Sequence, residues 1–227
     1  MITQNIASIR ERIKRSALLA GRRPEEVRLV AVSKTMPADR IREAVAAGLR
    51  IFGENYIQEA RDKASALSDL PIEWHFIGHL QTNKAKYAVR QFTLIHSVDS
   101  ERLIAEIDRE AQKVGKIQDI LIQVNIAGED TKSGVEPDEL YTLLETAAAH
   151  PRVRVVGLMT MPPYSEEPEV VRPVFRALKT LAERYAGVIP GTDLRELSMG
   201  MSGDFEVAIS EGATLVRIGT AIFGERS

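Results

Sequence analysis

Apolar positions return every three or four residues at the start of the chain. Ile2, Ile6, Ile9, Ile13 and Ala17 share one face, while Arg10, Arg12, Lys14 and Arg15 occupy the others. That spacing predicts an amphipathic helix, which Gly21 ends. Its basic residues suit either a solvated face or an acidic partner. The period then changes. Arg28–Lys34 (RLVAVSK) is a short, mostly apolar, β-branched run, the pattern of a strand covered on both sides. A helix near Ala38–Ala47 follows and stops at Gly48. Next come a strand at Arg50–Gly53, a helix near Asn55–Leu67, a strand at Glu73–Gly78, a helix at about Gln81–Arg90 and a strand at Leu94–Val98. Asp99 and Ser100 are placed to cap a helix whose Leu103, Ile104, Ile107, Ala111 and Val114 form one face.

The second half continues the alternation. Ile120–Ile126 reads as the fifth strand. After the loop Ala127–Glu136, Pro137 is placed to open a helix carrying Leu140, Leu143, Leu144 and Ala147. Val153–Met161 is the sixth strand. A helix with Val171, Phe175, Leu178, Leu181 and Tyr185 on one face then ends at Gly187. A brief strand at Leu197–Gly200, a short helix at Phe205–Glu211 and a strand at Leu215–Gly219 complete the pattern. Eight strands separated by seven helices, with no Pro/Gly/Ser-rich linker, predict one α/β domain over residues 1–227. The expected form is a closed (β/α)8 TIM barrel with an extra N-terminal helix. An open α/β sheet is the competing reading. No G-x-G-x-x-G follows the first strand, which counts against a dinucleotide fold.

Composition narrows the chemistry. Among the 227 residues there is no cysteine, which removes disulfides, thiolate nucleophiles, Cys-ligated zinc and iron–sulfur clusters. A net charge of −2 argues against a dedicated nucleic-acid binder. The N-terminus has no apolar signal core, and no apolar run reaches the roughly 18 residues of a membrane span. The chain is expected to be cytoplasmic.

In a (β/α)8 barrel the site lies at the C-terminal ends of the strands. That rule selects Lys34, Asn55, His75 to His79, Asn125, Met159 to Met161, Ser198 to Ser202 and Arg217 to Thr220. Lys34 is either a lysine emerging into solvent or an amine in a dry barrel mouth, able to condense with a carbonyl. The segment Leu197–Phe205 (LSMGMSGDF) is either a tight capped turn or an anion site. Its place after the seventh strand, matched by Gly219-Thr220 after the eighth, favours a phosphate. Arg217, inside the apolar strand LVRIG, needs a carboxylate, a phosphate or a ring nitrogen as partner. His75 and His79 stand roughly 13 Å apart along a strand, too far to share a metal, and no metal is expected. The methionines Met159, Met161, Met199 and Met201 suit packing at the barrel mouth.

Seven segments together carry a resemblance: VAVSK (Val30–Lys34), FGENYIQEA (Phe52–Ala60), WHFIGHLQTNK (Trp74–Lys84), KSGV (Lys132–Val135), GLMTM (Gly157–Met161), LSMGMSGDFEVAI (Leu197–Ile209) and VRIGTAIFGER (Val216–Arg226). In order and over essentially the whole chain, the sequence resembles the pyridoxal phosphate homeostasis protein family, itself similar to the N-terminal barrel domain of alanine racemase. The resemblance implies a cofactor, pyridoxal 5′-phosphate (PLP), joined to Lys34 as an internal aldimine. It implies that the loop containing Ser198, Gly200 and Ser202, with Gly219 and Thr220, holds the phosphate. Arg217 would face the pyridine nitrogen, and Asn55 would lie close to the cofactor. The implied role is cofactor buffering and delivery, with an indirect influence on amino-acid and keto-acid balance. PLP and apo PLP-dependent enzymes are the expected partners, with no nucleic acid and no membrane, and the chain is expected to be monomeric. It is expected not to be an enzyme. A cation at the ring nitrogen weakens the electron sink, and the chain's end just after the eighth strand leaves no room for the racemase's second domain and its tyrosine. Tyr56 and Tyr164 match that tyrosine by no motif. An amino-acid racemase or a Schiff-base lyase is the alternative.

Overall fold

The computed structural model describes residues 1–128 and 133–224. Part of the predicted loop Ala127–Glu136, including Lys132 of the KSGV motif, and Arg226 of the last motif lie outside the described residues. Eight parallel strands pair in sequence order and close on themselves: β1 (Arg28–Val32), β2 (Ile51–Glu54), β3 (Glu73–Phe76), β4 (Leu94–Val98), β5 (Gln118–Gln123), β6 (Val153–Met159), β7 (Glu196–Ser198) and β8 (Leu215–Ile218). Closure comes from β1 against β8, with Val30 opposite Arg217. The barrel reading therefore holds and the open sheet does not.

Helices α2 (Ala38–Ala46), α3 (Ile57–Ala66), α4 (Ala85–Gln91), α5 (Glu101–Lys113), α6 (Leu140–Ala148), α7 (Arg172–Tyr185) and α8 (Phe205–Ser210) link the strands. The alternation within each strand sorts its side chains. Trp74, Phe76, Ile95, Leu197, Val216 and Ile218 join the large apolar layer beneath the helices. Val30, Leu94, Leu121, Met159 and Leu215 form a separate cluster inside the barrel. This inner set is small because polar residues hold other inward positions: His75, His96, Ser198 and Arg217 alternate with those outward apolar neighbours, and all are buried. Helix α1 (Ile2–Leu19) buries its isoleucine face. Its basic face is partly spoken for: Arg12 pairs with Glu206 of α8 at 2.9 Å, and Arg10 donates to the carbonyl of Gly48 at 2.8 Å.

Several element boundaries differ from the pattern-based expectation. Helix α6 starts at Leu140 rather than Pro137, because Glu139 N–H closes a turn onto the carbonyl of Glu136. Val114 is 41% exposed: α5 ends at Lys113, so the chain leaves the helical phase before Val114 reaches the buried face. Ser100 occupies the N-cap of α5, but its side chain makes no capping bond. A four-residue helix, α9 (Thr220–Phe223), follows β8 where none was expected. Among the described residues no helix is long and apolar enough to cross a membrane.

Candidate functional site

A pocket of about 340 Å³ opens at the C-terminal ends of β1, β2, β3, β6, β7 and β8. Lys34, Asn55, Ser202, Arg217, Gly219 and Thr220 all line it, so six of the eight residues singled out from the sequence meet on one wall. They come from four separate strand ends. The volume suits a small ligand, for which pockets of roughly 300–1,000 Å³ are usual.

Two of the eight stand elsewhere. Ser198 is wholly buried and accepts an N–H of Arg217 at 2.6 Å. Gly200 adopts φ +93°, and an added Cβ would lie 2.6 Å from the Cβ of Ala208. Its carbonyl receives the backbone N–H of Arg217 at 2.9 Å. Both therefore sit behind the wall and fix Arg217, whose other terminal nitrogen donates to the carbonyl of Thr160 at 3.0 Å. Burial pulls the Arg217 guanidinium down to about 10, against the field of Asp204, so it remains cationic at neutral pH.

One end of the pocket is rich in donors. The hydroxyls of Ser202 and Thr220 lie 3.1 Å apart. Among the described residues the peptide N–H groups of Ser202, Gly203 and Thr220 meet no acceptor within the protein. Burial pushes the nearby Asp204 carboxyl up, although it accepts the Met201 N–H at 2.6 Å. Beside Lys34 and Arg217, the side-chain Oδ1 of Asn55 is buried without a hydrogen-bond partner. An unsatisfied buried acceptor of this kind calls for a ligand donor.

The segment carrying Lys34 is clamped from below. Lys63 donates to the carbonyl of Ser33 at 2.5 Å and to the carboxylates of Glu54 at 2.7 Å and Glu59 at 2.6 Å. Glu59 in turn accepts the backbone N–H of Thr35, which sits at φ +65°. Ser33 and Thr35, on either side of Lys34, are thus held by one buried ion cluster. Burial pushes the Glu54 carboxyl up while Lys63 pulls it down.

The sequence reading missed this cluster, as well as Asp204 and His96. An acid at the end of the apolar run IFGE was the available signal for Glu54, since a buried carboxylate demands a partner. His79 is exposed and lines a separate groove of about 620 Å³ beyond Asn55, while His75 is buried inside the barrel. Among the described residues no group of three metal-ligating side chains occurs. Met159 and Met199 are buried, whereas Met161 and Met201 line the pocket. Tyr164, at the pocket rim, is 88% exposed.

Known proteins resemble this chain over nearly its whole length. The chain matches the family described as alanine racemase, N-terminal domain, over residues 3–227. It is 50% identical to a pyridoxal phosphate homeostasis protein of Aquifex aeolicus, over 98% of this chain and 97% of that one. It is also similar to PipY of Synechococcus elongatus PCC7942, solved in two states. The structure without PLP superposes with a TM-score of 0.90 at 40% identity, and the one with PLP bound with 0.87 at 39%. Each alignment covers 99% of this chain and 100% of the other.

Proposed function

Because the chain belongs to the pyridoxal phosphate homeostasis protein family, built on the alanine racemase N-terminal fold, we propose that it binds PLP at the barrel mouth and holds it reversibly for transfer. The observation that carries this reading is the convergence of Lys34, Asn55, Ser202, Arg217, Gly219 and Thr220 on one pocket. When bound, PLP supplies an aldehyde carbon open to amines and an electron-drawing ring. Lys34 is the amine: its nitrogen adds to the aldehyde carbon, and a C=N bond replaces C=O as one water leaves. Water reverses the step, which suits a carrier. The hydroxyls of Ser202 and Thr220, with the free N–H groups of Ser202, Gly203 and Thr220, donate to the phosphate. Gly219 keeps the backbone of that wall thin, and Asn55 satisfies its buried oxygen on the ligand.

Arg217 meets the pyridine nitrogen as a donor. A cation there opposes protonation of the ring and weakens its pull on electrons, which favours holding the cofactor over catalysis with it. In this reading Ser198 and Gly200 serve from behind the wall. Residues 1–227 act as one binding domain and as a monomer in the cytoplasm, with apo PLP-dependent enzymes as recipients.

Spectral titration tests the site. PLP is expected to bind at least about 100-fold more tightly than pyridoxal, because charge-assisted hydrogen bonds to phosphate contribute roughly 1.5–3 kcal/mol each. Equal affinities would remove the phosphate site. In the same preparation, L-alanine in deuterated water should yield no D-alanine at ordinary enzyme rates of about 1 s⁻¹ or more. Turnover at that level would make the protein a racemase instead.

A further inference from the structure

A continuous hydrogen-bonded chain runs through the barrel interior from the end opposite the pocket. Glu73, the first residue of β3, is half-exposed, and its Oε1 lies 2.9 Å from His75 Nε2. His75 Nδ1 lies 3.0 Å from His96 Nε2, and His96 Nδ1 lies 2.8 Å from Ser198 Oγ. Ser198 Oγ accepts the Arg217 Nη1 donor at 2.6 Å. His75, His96, Ser198 and Arg217 are all buried.

The ends of this chain fix its direction. Glu73 is a carboxylate, held below the usual range first by its bond with His75, and can only accept. His75 must therefore carry its proton on Nε2, which makes Nδ1 an acceptor. His96 then donates from its own Nε2, so its Nδ1 accepts the Ser198 hydroxyl proton. Ser198 is left with its lone pairs for Arg217, which can only donate. Every link is satisfied with both rings neutral, and burial holds both histidines below their ordinary value. The opposite direction would set a bare Nε2 against a carboxylate and leave the Ser198 proton without an acceptor beside Arg217.

We propose that Glu73 is a positioning residue for the pocket arginine, acting through His75, His96 and Ser198 to keep the Ser198 oxygen open to Arg217. This rests on the reading of Arg217 as the group that meets the PLP ring nitrogen. The consequence is that a hydrogen-bond acceptor at the floor of the barrel governs how firmly the ring is held at its mouth.

The test begins with the unmutated, PLP-loaded protein. Only four histidines are present, so two-bond nitrogen–proton correlation spectra of the ¹⁵N-labelled chain resolve each ring. At neutral pH both His75 and His96 should be neutral with the proton on Nε2. A proton on Nδ1 of either ring, or a doubly protonated ring, overturns the proposal. The second arm uses Glu73→Gln, which keeps an acceptor, and Glu73→Lys, which supplies a donor cation. Glu73→Gln should preserve both tautomers and the absorption maximum of bound PLP. Glu73→Lys should move both ring protons to Nδ1, shift that maximum and weaken PLP binding roughly tenfold, the cost of about one hydrogen bond to a charged group. Unchanged tautomers and an unchanged maximum in folded Glu73→Lys overturn the proposal. If the unmutated protein shows the expected tautomers but binds no PLP, the chain stands and the functional reading of the pocket fails.

Discussion

Asn55 reaches the pocket wall because the residue packed against its backbone is Gly78. A Cβ added at Gly78 would lie 2.3 Å from the carbonyl oxygen of Asn55 and 2.6 Å from its Cα. Backbone cannot yield as a side-chain tip does, so Gly78→Ala should displace Asn55. The expected result is a stability loss of about 1–3 kcal/mol in urea unfolding together with weaker PLP binding by spectral titration. Wild-type binding in the folded variant would separate Asn55 from the site. At this scale the sequence was legible wherever a strand-end rule applied: Lys34, Asn55 and Arg217 were selected by position, and the pocket gathers them. Ser198 was selected too, but alternation along β7 turns it inward beneath Arg217 rather than toward the pocket. His96 gave no signal. His96, one of two polar residues in LIHSV, acquires meaning only when pairing sets it beside His75 and Ser198.

The loop after β1 depends on α3 as much as on its own residues. Lys63 on that helix ties together Ser33, Glu54 and Glu59, and Glu59 holds Thr35 in the left-handed region that β-branched residues avoid. Lys63→Met removes the cation but leaves the Glu54 carboxylate buried. Breaking a buried pair in this way costs about 3–5 kcal/mol. The variant should unfold at lower urea and release PLP faster, since the segment carrying Lys34 loses its clamp. A stability change below about 1 kcal/mol would contradict this account of the cluster. Elements of this kind were readable as existing but not as bounded. Periodicity located α5 and α6, while their ends were decided by the turn at Glu136–Glu139 and the break at Val114, which apolar spacing does not encode.

In the whole molecule, a hydrogen-bonded polar chain runs beside the apolar cluster inside the barrel and joins its floor to its mouth. Burial holds His75 and His96 below the ordinary histidine value; Glu73 opposes this at His75, and Arg28 and Arg217 reinforce it at His96. In the unfolded chain both titrate near about 6.5. Below that pH the unfolded state takes up protons that the folded state refuses, so stability must fall with acid. The slope should reach about 1.4 kcal/mol per pH unit for each histidine. Urea midpoints compared at about pH 7.5 and about pH 5.5 should show that loss; equal midpoints would mean that the rings protonate freely in place. The strand–helix alternation announced the closed barrel because every connection is local and right for a parallel neighbour. It could not announce what fills the interior, since register decides that. The central claim is that Lys34 holds PLP at the mouth. Borohydride reduction of the PLP-loaded protein, followed by peptide mass analysis, tests it most directly: the account predicts a single reduced adduct on the peptide carrying Lys34 and none in Lys34→Ala, whereas an adduct on another lysine, or the same adduct yield in Lys34→Ala, would contradict it.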